Sequence, residues 1–180
     1  IHIYFKDIKI IYNDPRRFGF FKVFSNKKLL KKYFKKYGPE PFDKKFNSSY
    51  IKSKLNKKIK NIRNYLLDQN FVSGIGNIYA NEILFFCKIN PSLQSGKLTN
   101  KNISHLITFS KKVLNEAIKK GGSSIRNFSD TSGNIGSFQD SFMVYQRQNL
   151  RCLRKNCSGI IKKKILTNRS YFYCNNCQKK

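Results

Sequence analysis

Cys152-Leu-Arg-Lys-Asn-Cys157 and Cys174-Asn-Asn-Cys177 are separated by sixteen intervening residues, and their reading decides how this end of the chain folds. Two close cysteine pairs at that separation can set four thiolates at the corners of a tetrahedron around one Zn²⁺. The run between them, Gly159 to Tyr173, is rich in β-branched, aromatic and basic residues. It predicts two short strands around a turn at Thr167-Asn168-Arg169. A hairpin this small buries too little apolar surface to fold by itself, so a bound metal would supply most of its stability. Disulfide pairing is the competing reading. Secreted disulfide proteins spread their cysteines through the chain, however, and here four of five sit in the tail. The fifth, Cys87, stands in an apolar stretch and reads as a small buried hydrophobe. A reducing cytosol is the expected setting.

Working outward, the 180 residues allow one or two domains, and 39% apolar content suffices for a modest core. Lys and Arg outnumber Asp and Glu by 37 to 9, a formal charge of +28. Such a surplus repels itself unless a polyanion neutralises it, and nucleic acid is the usual one. Part of the lysine excess travels with abundant Asn and Ile, as in proteins from AT-rich genomes. No run approaches the roughly 18 apolar residues of a membrane span.

Residues 1–5, 8–12 and 20–24 are β-branched and aromatic runs that predict an antiparallel meander. Three strands make a poor domain alone, so they read as the end of a larger sheet. The chain opens on Ile1 directly inside such a run, which suggests a fragment whose upstream part is missing. Tyr37-Gly-Pro-Glu-Pro41 marks a linker. From Asn47 the pattern turns helical. Ser48 or Ser49 could cap a first helix carrying Ile59, Ile62, Leu66 and Leu67 through Asp68, and Asn77 could cap a second over 78–87. Thr99 or Asn100 starts a long amphipathic helix ending at Gly121-Gly122. The polar segment from Gly122 to Phe138 predicts a long functional loop.

Two further patterns carry chemistry. Gly74-Ile-Gly76-Asn77 sits between two helices, where glycines admit a ligand to the backbone and unpaired helix N–H groups favour a phosphate. The same turn reads equally well as a tight helix–helix corner. Asp14-Pro-Arg-Arg-Phe-Gly19 places two arginines and an aromatic on a strand connection, suited to wedging into a duplex. It also reads as a charged β-turn with Phe18 folded into the sheet. His2 and His105 read as structural, and the scattered acids form no hydrolytic set.

Taken together, these blocks resemble the formamidopyrimidine-DNA glycosylase family of bifunctional repair enzymes. The matching stretches are Asp14–Gly19, Tyr37–Pro41, Leu66–Glu82, Gly121-Gly-Ser-Ser124, Val144-Tyr145-Gln-Arg147 and the cysteine tail, in the family's order. The resemblance implies an α+β fold. The end of an antiparallel β-sandwich (1–36) and a linker (37–46) would be followed by a helix–two-turn–helix domain with a lesion-capping loop (47–143), then a zinc-binding β-hairpin (144–180). It implies base-excision repair of damaged double-stranded DNA by a monomer in the bacterial cytoplasm, at the nucleoid. Oxidised purines would be removed and the abasic site nicked by β,δ-elimination.

Residue by residue, the resemblance puts Asn77 and Tyr145 on phosphates near the lesion, with Lys58 as a further phosphate contact. Arg16 would fill the space of the flipped nucleotide while Phe18 wedges beside it. Ile125, Arg126, Asn127 and Phe128 would close over the extruded base. Arg169 would bind the phosphates flanking the lesion and assist δ-elimination. Cys152, Cys157, Cys174 and Cys177 would hold one structural Zn²⁺. Extruding a base costs a few kcal/mol, which inserted side chains partly offset.

Two departures stand out. The family usually spaces its first cysteine pair by two residues, and here four intervene. The family's nucleophile is an N-terminal proline amine assisted by a glutamate and a lysine, and these have no counterpart here, so this chain is expected to carry the DNA grip without the primary nucleophile. The competing functions are an endonuclease VIII-type glycosylase and a non-catalytic zinc-ribbon nucleic-acid-binding protein. Arg16-Arg17-Phe18 and the long loop after Gly122 weigh against the first.

Overall fold

The computed structural model describes residues 1–14, 17–124, 133 and 135–179. Arg16 and the expected capping loop Ile125, Arg126, Asn127 and Phe128 lie outside the described residues. The chain is mixed α and β and divides into two compact units, Ile1–Lys36 and Tyr37–Lys180.

In the first unit, β1 (His2–Tyr4) and β2 (Lys9–Ile11) pair antiparallel with His2 opposite Ile11 and Tyr4 opposite Lys9. Apolar side chains project from it into solvent, with Ile1, Tyr4, Phe5, Ile8 and Ile11 each at least 60% exposed. Residues 20–24, predicted as a third strand, form none. The turn ahead of them is tied by a side chain instead of a ladder: the Asp14 carboxylate accepts the Gly19 N–H at 2.6 Å. Phe21 then packs edge-on against Tyr12 at 4.7 Å. Helix α1 (Lys27–Phe34), capped by the Asn26 side chain, closes the unit and buries no residue.

The described residues of the second unit form four α-helices: α2 (Ser48–Leu55), α3 (Ile62–Leu66), α4 (Asn77–Phe86) and α5 (Asn100–Lys119). The single helix expected from Ser48 to Asp68 is two. Lys57 turns the backbone left-handed at φ 55°, and Ile59, which a continuous helix would bury, is 82% exposed. Each piece has its own asparagine cap. Asn47, one residue before the expected serines, accepts from the Tyr50 N–H, and Asn61 accepts from the Asn64 N–H. Thr99 caps α5 through a reciprocal box with Asn102. Gly121 and Gly122 end that helix at φ 67° and 82°.

The main core gathers Ile51, Leu55, Ile62, Leu66, Val72, Ile75, Ile83, Leu84, Leu106 and Val113. Each such side chain contributes about 1.5–3 kcal/mol on burial. Tyr50 and Phe71 stack at 5.9 Å, and the Tyr50 hydroxyl donates to the Phe71 carbonyl at 2.7 Å. A smaller core of Phe85, Val144, Cys152, Ile161, Phe172 and Cys174 lies under the terminal hairpin. That hairpin pairs β3 (Ile161–Leu166) with β4 (Arg169–Cys174), antiparallel, from Ile161 opposite Cys174 to Leu166 opposite Arg169. Its loop is the pair Thr167-Asn168 at φ 50° and 59°, so Arg169 is the first strand residue and not part of the turn. Two left-handed central residues match the right-handed twist of the strands. Helix α4 serves both cores, its Ile83 and Leu84 facing one and Phe85 the other.

Candidate nucleic-acid interface and metal site

Helix α4 begins at Asn77, with Gly76 as an N-cap that lends no side chain to the orphan N–H groups. Gly74 sits at φ 86°, a left-handed conformation that suits glycine, whereas a Cβ on Gly76 would meet no atom within 4 Å. Tight packing therefore does not account for Gly76. Open space lies in front of a helix N-terminus, the setting in which an anion finds free N–H donors.

The first turns of α4 grip the free edge of β4. The Asn77 Nδ2 donates to the Ser170 carbonyl at 3.1 Å, and one turn later Asn81 Oδ1 accepts the Phe172 N–H at 2.7 Å. Residues four apart share a helix face, so the two asparagines act as a surrogate strand. They place Arg169, the first residue of β4, next to the helix start.

Arg63, on α3, joins the same group and is fully buried. Its Nη2 donates to Asn77 Oδ1 at 2.8 Å and, at longer range, to the carbonyls of Ser170 (3.3 Å) and Arg169 (3.4 Å). Its guanidinium lies 5.4 Å from the Tyr171 ring centre. Burial, then the neighbouring Arg169 charge, pushes the Arg63 pKa below its ordinary value, while Tyr171 and Tyr145 oppose the shift. Lys60, Arg63, Asn64, Leu67, Asp68, Thr167 and Arg169 line a cleft of about 280 Å³ beside this group.

The structure thus brings Asn77 and Arg169 together. Tyr145 also meets the hairpin: its ring lies edge-on to Phe172 at 5.1 Å, and its N–H is held by Glu82 of α4 at 2.9 Å. Lys58 is exposed in the connection between α2 and α3 and does not line the cleft; Lys60 does. Phe18 belongs to the first unit and is 80% exposed, beside Arg17 at φ 57°. Lys60, Arg63, Asn81 and Glu82 were missed by sequence reasoning. The one available signal for Glu82 was a lone acid in an otherwise apolar helical run.

The Sγ atoms of Cys152, Cys157, Cys174 and Cys177 lie within 4.8 Å of one another. All four cysteines are free, so the disulfide reading has no support. Sulfurs about 2.3 Å from a tetrahedral zinc stand about 3.8 Å apart. Cys157 and Cys174, at 3.6 Å, match that spacing. Main-chain N–H groups of Arg154 and Cys177 point at Cys152 Sγ and Cys174 Sγ, each at 3.5 Å. A backbone bond from Gly159 draws the Cys157 thiol down to about 7, while burial drives Cys152 up to about 12 and Cys177 up to about 11. A cation is what lets such desolvated thiols ionise together. Gly159 is required by proximity: a Cβ there would run into Cys174 Sγ. The residues fit a tetrahedral thiophilic ion. Cys87 is buried and far up from its ordinary pKa, as an inert thiol should be.

The four-residue spacer of the first pair has a visible use. Arg154 within it donates to the Phe85 carbonyl, in the last turn of α4, at 2.7 Å and lies over the Phe85 ring at 4.6 Å. Gln178 fastens the other end, accepting from Cys174 N–H at 2.8 Å and donating to Ile89 O at 2.9 Å.

The model of the formamidopyrimidine-DNA glycosylase H2TH domain matches residues 37–129, more than half of the chain. The chain belongs to this family. Among curated glycosylases of that name, those of Roseobacter denitrificans and Bdellovibrio bacteriovorus are 39% and 41% identical over 172 and 180 residues. The alignments cover 95% and 99% of this chain, which spans 61% and 66% of those relatives' lengths. Among solved structures, Lactococcus lactis Fpg bound to DNA containing an abasic site is 36% identical, with a TM-score of 0.88 over 99% of this chain and 65% of that one. A mutant of the same glycosylase bound to Fapy-dG-containing DNA matches equally, also at 0.88. No helix among the described residues is long and apolar enough to cross a membrane.

Proposed function

We propose that this chain grips damaged double-stranded DNA within a formamidopyrimidine-DNA glycosylase of the bacterial cytoplasm and nucleoid. That enzyme acts as a monomer that excises oxidised purines and nicks the abasic site by β,δ-elimination. The observation that carries this reading is the bond from Asn77 Nδ2 to Ser170 O, which joins a helix N-terminus to the strand start bearing Arg169. An amide and a guanidinium side by side suit consecutive phosphates, with Tyr145 adding a third contact and Lys58 a fourth. Arg169, exposed at the hairpin tip, would neutralise the phosphate leaving in δ-elimination. Arg16 would fill the gap left by the flipped nucleotide, Phe18 would wedge beside it, and residues 125–128 would cover the extruded base. Support also comes from the relatives, which are formamidopyrimidine-DNA glycosylases, and from the matching Lactococcus lactis structures, which are complexes with abasic-site and Fapy-dG DNA.

The four tail cysteines would hold one Zn²⁺, which supplies rigidity to the hairpin base and no chemistry. The apolar side chains exposed on β1 and β2 suit one edge of a β-sandwich. On this reading the domains run 1–36, 47–143 and 144–180, with a linker at 37–46. Binding of the 180-residue chain to a duplex with a tetrahydrofuran abasic analogue tests the proposal. Clear preference over intact duplex is expected, and equal affinity would point to a zinc ribbon instead. Borohydride trapping on an 8-oxoguanine duplex is expected to give no covalent adduct with these residues alone.

A further inference from the structure

Arg63 is the largest fully buried side chain in the described structure, and the grip outlined above gives it no task. We infer that Arg63 is a positioning residue for DNA-backbone binding, setting which way the Asn77 amide faces and holding the Arg169 main chain beside it. This rests on the proposed DNA grip.

A guanidinium has only donors, so the end of the Asn77 amide that meets Arg63 has to be the oxygen. The opposite orientation would set N–H against N–H. With Oδ1 held at 2.8 Å by Arg63, Nδ2 turns to the other side, where one hydrogen serves Ser170 O. Its second hydrogen has no partner among the described residues, and the side chain is half-buried, so this N–H is free to meet a phosphate. Without Arg63 the amide loses its short oxygen partner, and only the Ser170 carbonyl on Nδ2 and a long 3.5 Å contact from Asn81 Nδ2 to Oδ1 remain to hold it. The same Nη2 reaches the carbonyls of Arg169 and Ser170, so one buried cation aligns both partners of the grip. Arg63 is wholly buried and so acts through these two partners.

A double-mutant cycle separates positioning from direct contact. Binding to the tetrahydrofuran duplex is measured for the wild type, Arg63→Met, Asn77→Ala and the double variant, across a salt series. Each single change is expected to weaken binding by about tenfold, the scale of one hydrogen bond to a charged group. The double variant is expected to be no weaker than the poorer single, because both remove the same oriented amide. The salt slope of Arg63→Met is expected to equal that of the wild type. Multiplied losses, or a slope lowered by about 0.9, would overturn the inference by making Arg63 an independent phosphate contact. If Arg63→Met does not fold, Arg63→Gln enters the same cycle: it keeps a polar side chain whose own oxygen can meet the Asn77 amide nitrogen, so it no longer dictates the orientation, and the same coupling is expected. A wild-type chain with no preference for the abasic duplex would sink the proposed grip itself, an outcome distinct from an uncoupled cycle in a chain that binds.

Discussion

The carboxylate of Glu82, buried in α4, accepts the backbone N–H of Tyr145 at 2.9 Å. The same side chain takes the N–H groups of Val144 at 3.1 Å and Met143 at 2.9 Å. Three consecutive main-chain donors converge on one acid, so the segment leading into the cysteine tail is pinned to the helix that starts at Asn77. The register of Tyr145 against α4 is therefore set by a side chain 63 positions earlier.

Replacing Glu82 with leucine keeps the volume and orphans all three donors. Each buried unsatisfied group costs about 1–3 kcal/mol, so a loss on the order of 3 kcal/mol or more is expected. Chemical denaturation of Glu82→Leu beside the wild type measures it, and a loss under 1 kcal/mol would mean that water or a shifted backbone takes over the bonds.

Burial pushes the Glu82 carboxyl above its ordinary value, with the Tyr145, Met143 and Val144 bonds and the Arg147 charge pulling back. The folded chain therefore holds this proton more tightly than the unfolded chain. The resulting stability is fully present below the ordinary carboxylate range and is lost as pH rises through the folded value. Glu82→Gln removes that titration. Melting temperatures followed upward from pH 4.5 should fall more steeply for the wild type than for the variant, and parallel curves would contradict the shift.

Arg169 is exposed at the hairpin tip, where it can release a counterion on meeting a phosphate. For Arg169→Ala, the slope of log K against log salt is expected to shrink by about 0.9. An unchanged slope in a fluorescence-anisotropy titration would strike Arg169 from the phosphate contacts.

Gly159→Ala drives a methyl group into Cys174 Sγ and should spoil the sulfur tetrahedron. Zinc competition against a chromogenic chelator is expected to show at least about a tenfold loss of affinity, in line with the sensitivity of metal sites to their supporting shell. Chelator treatment of the wild type should likewise loosen the hairpin, read as faster amide exchange across Ile161–Cys174. Retained protection in the metal-free chain would show that the small core around Phe85 and Phe172 suffices.

Arg154 tests the wide first cysteine pair. Arg154→Ala removes the bond to Phe85 O and the ring contact, and partly buried cation–π pairs are worth about 0.5–2 kcal/mol. A melting point lower by a few degrees, with zinc stoichiometry unchanged, is the expected result. Lost zinc would instead assign Arg154 to the metal site.

The sequence by itself determined what depends on neighbours along the chain. Cysteine spacing, the amphipathic repeat after Thr99, the paired glycines at its end and the β-branched and aromatic run from Ile161 to Cys174 are local patterns, and each element stands close to where its residues predict. Local pattern misled where a longer-range demand competed. Ile59 keeps the helical spacing yet is exposed, because Asn61 caps a new helix. Residues 20–24 have strand chemistry and no ladder to join. Only the tertiary structure decided the working relationships: Arg63 with Asn77 and Arg169, Glu82 with Tyr145, Arg154 with Phe85. These partners are between 14 and 106 residues apart. The physical reason is desolvation. A buried charge or a buried N–H has to find a partner, and which one it finds depends on where the packed helices bring the hairpin edge, a question no local spacing answers.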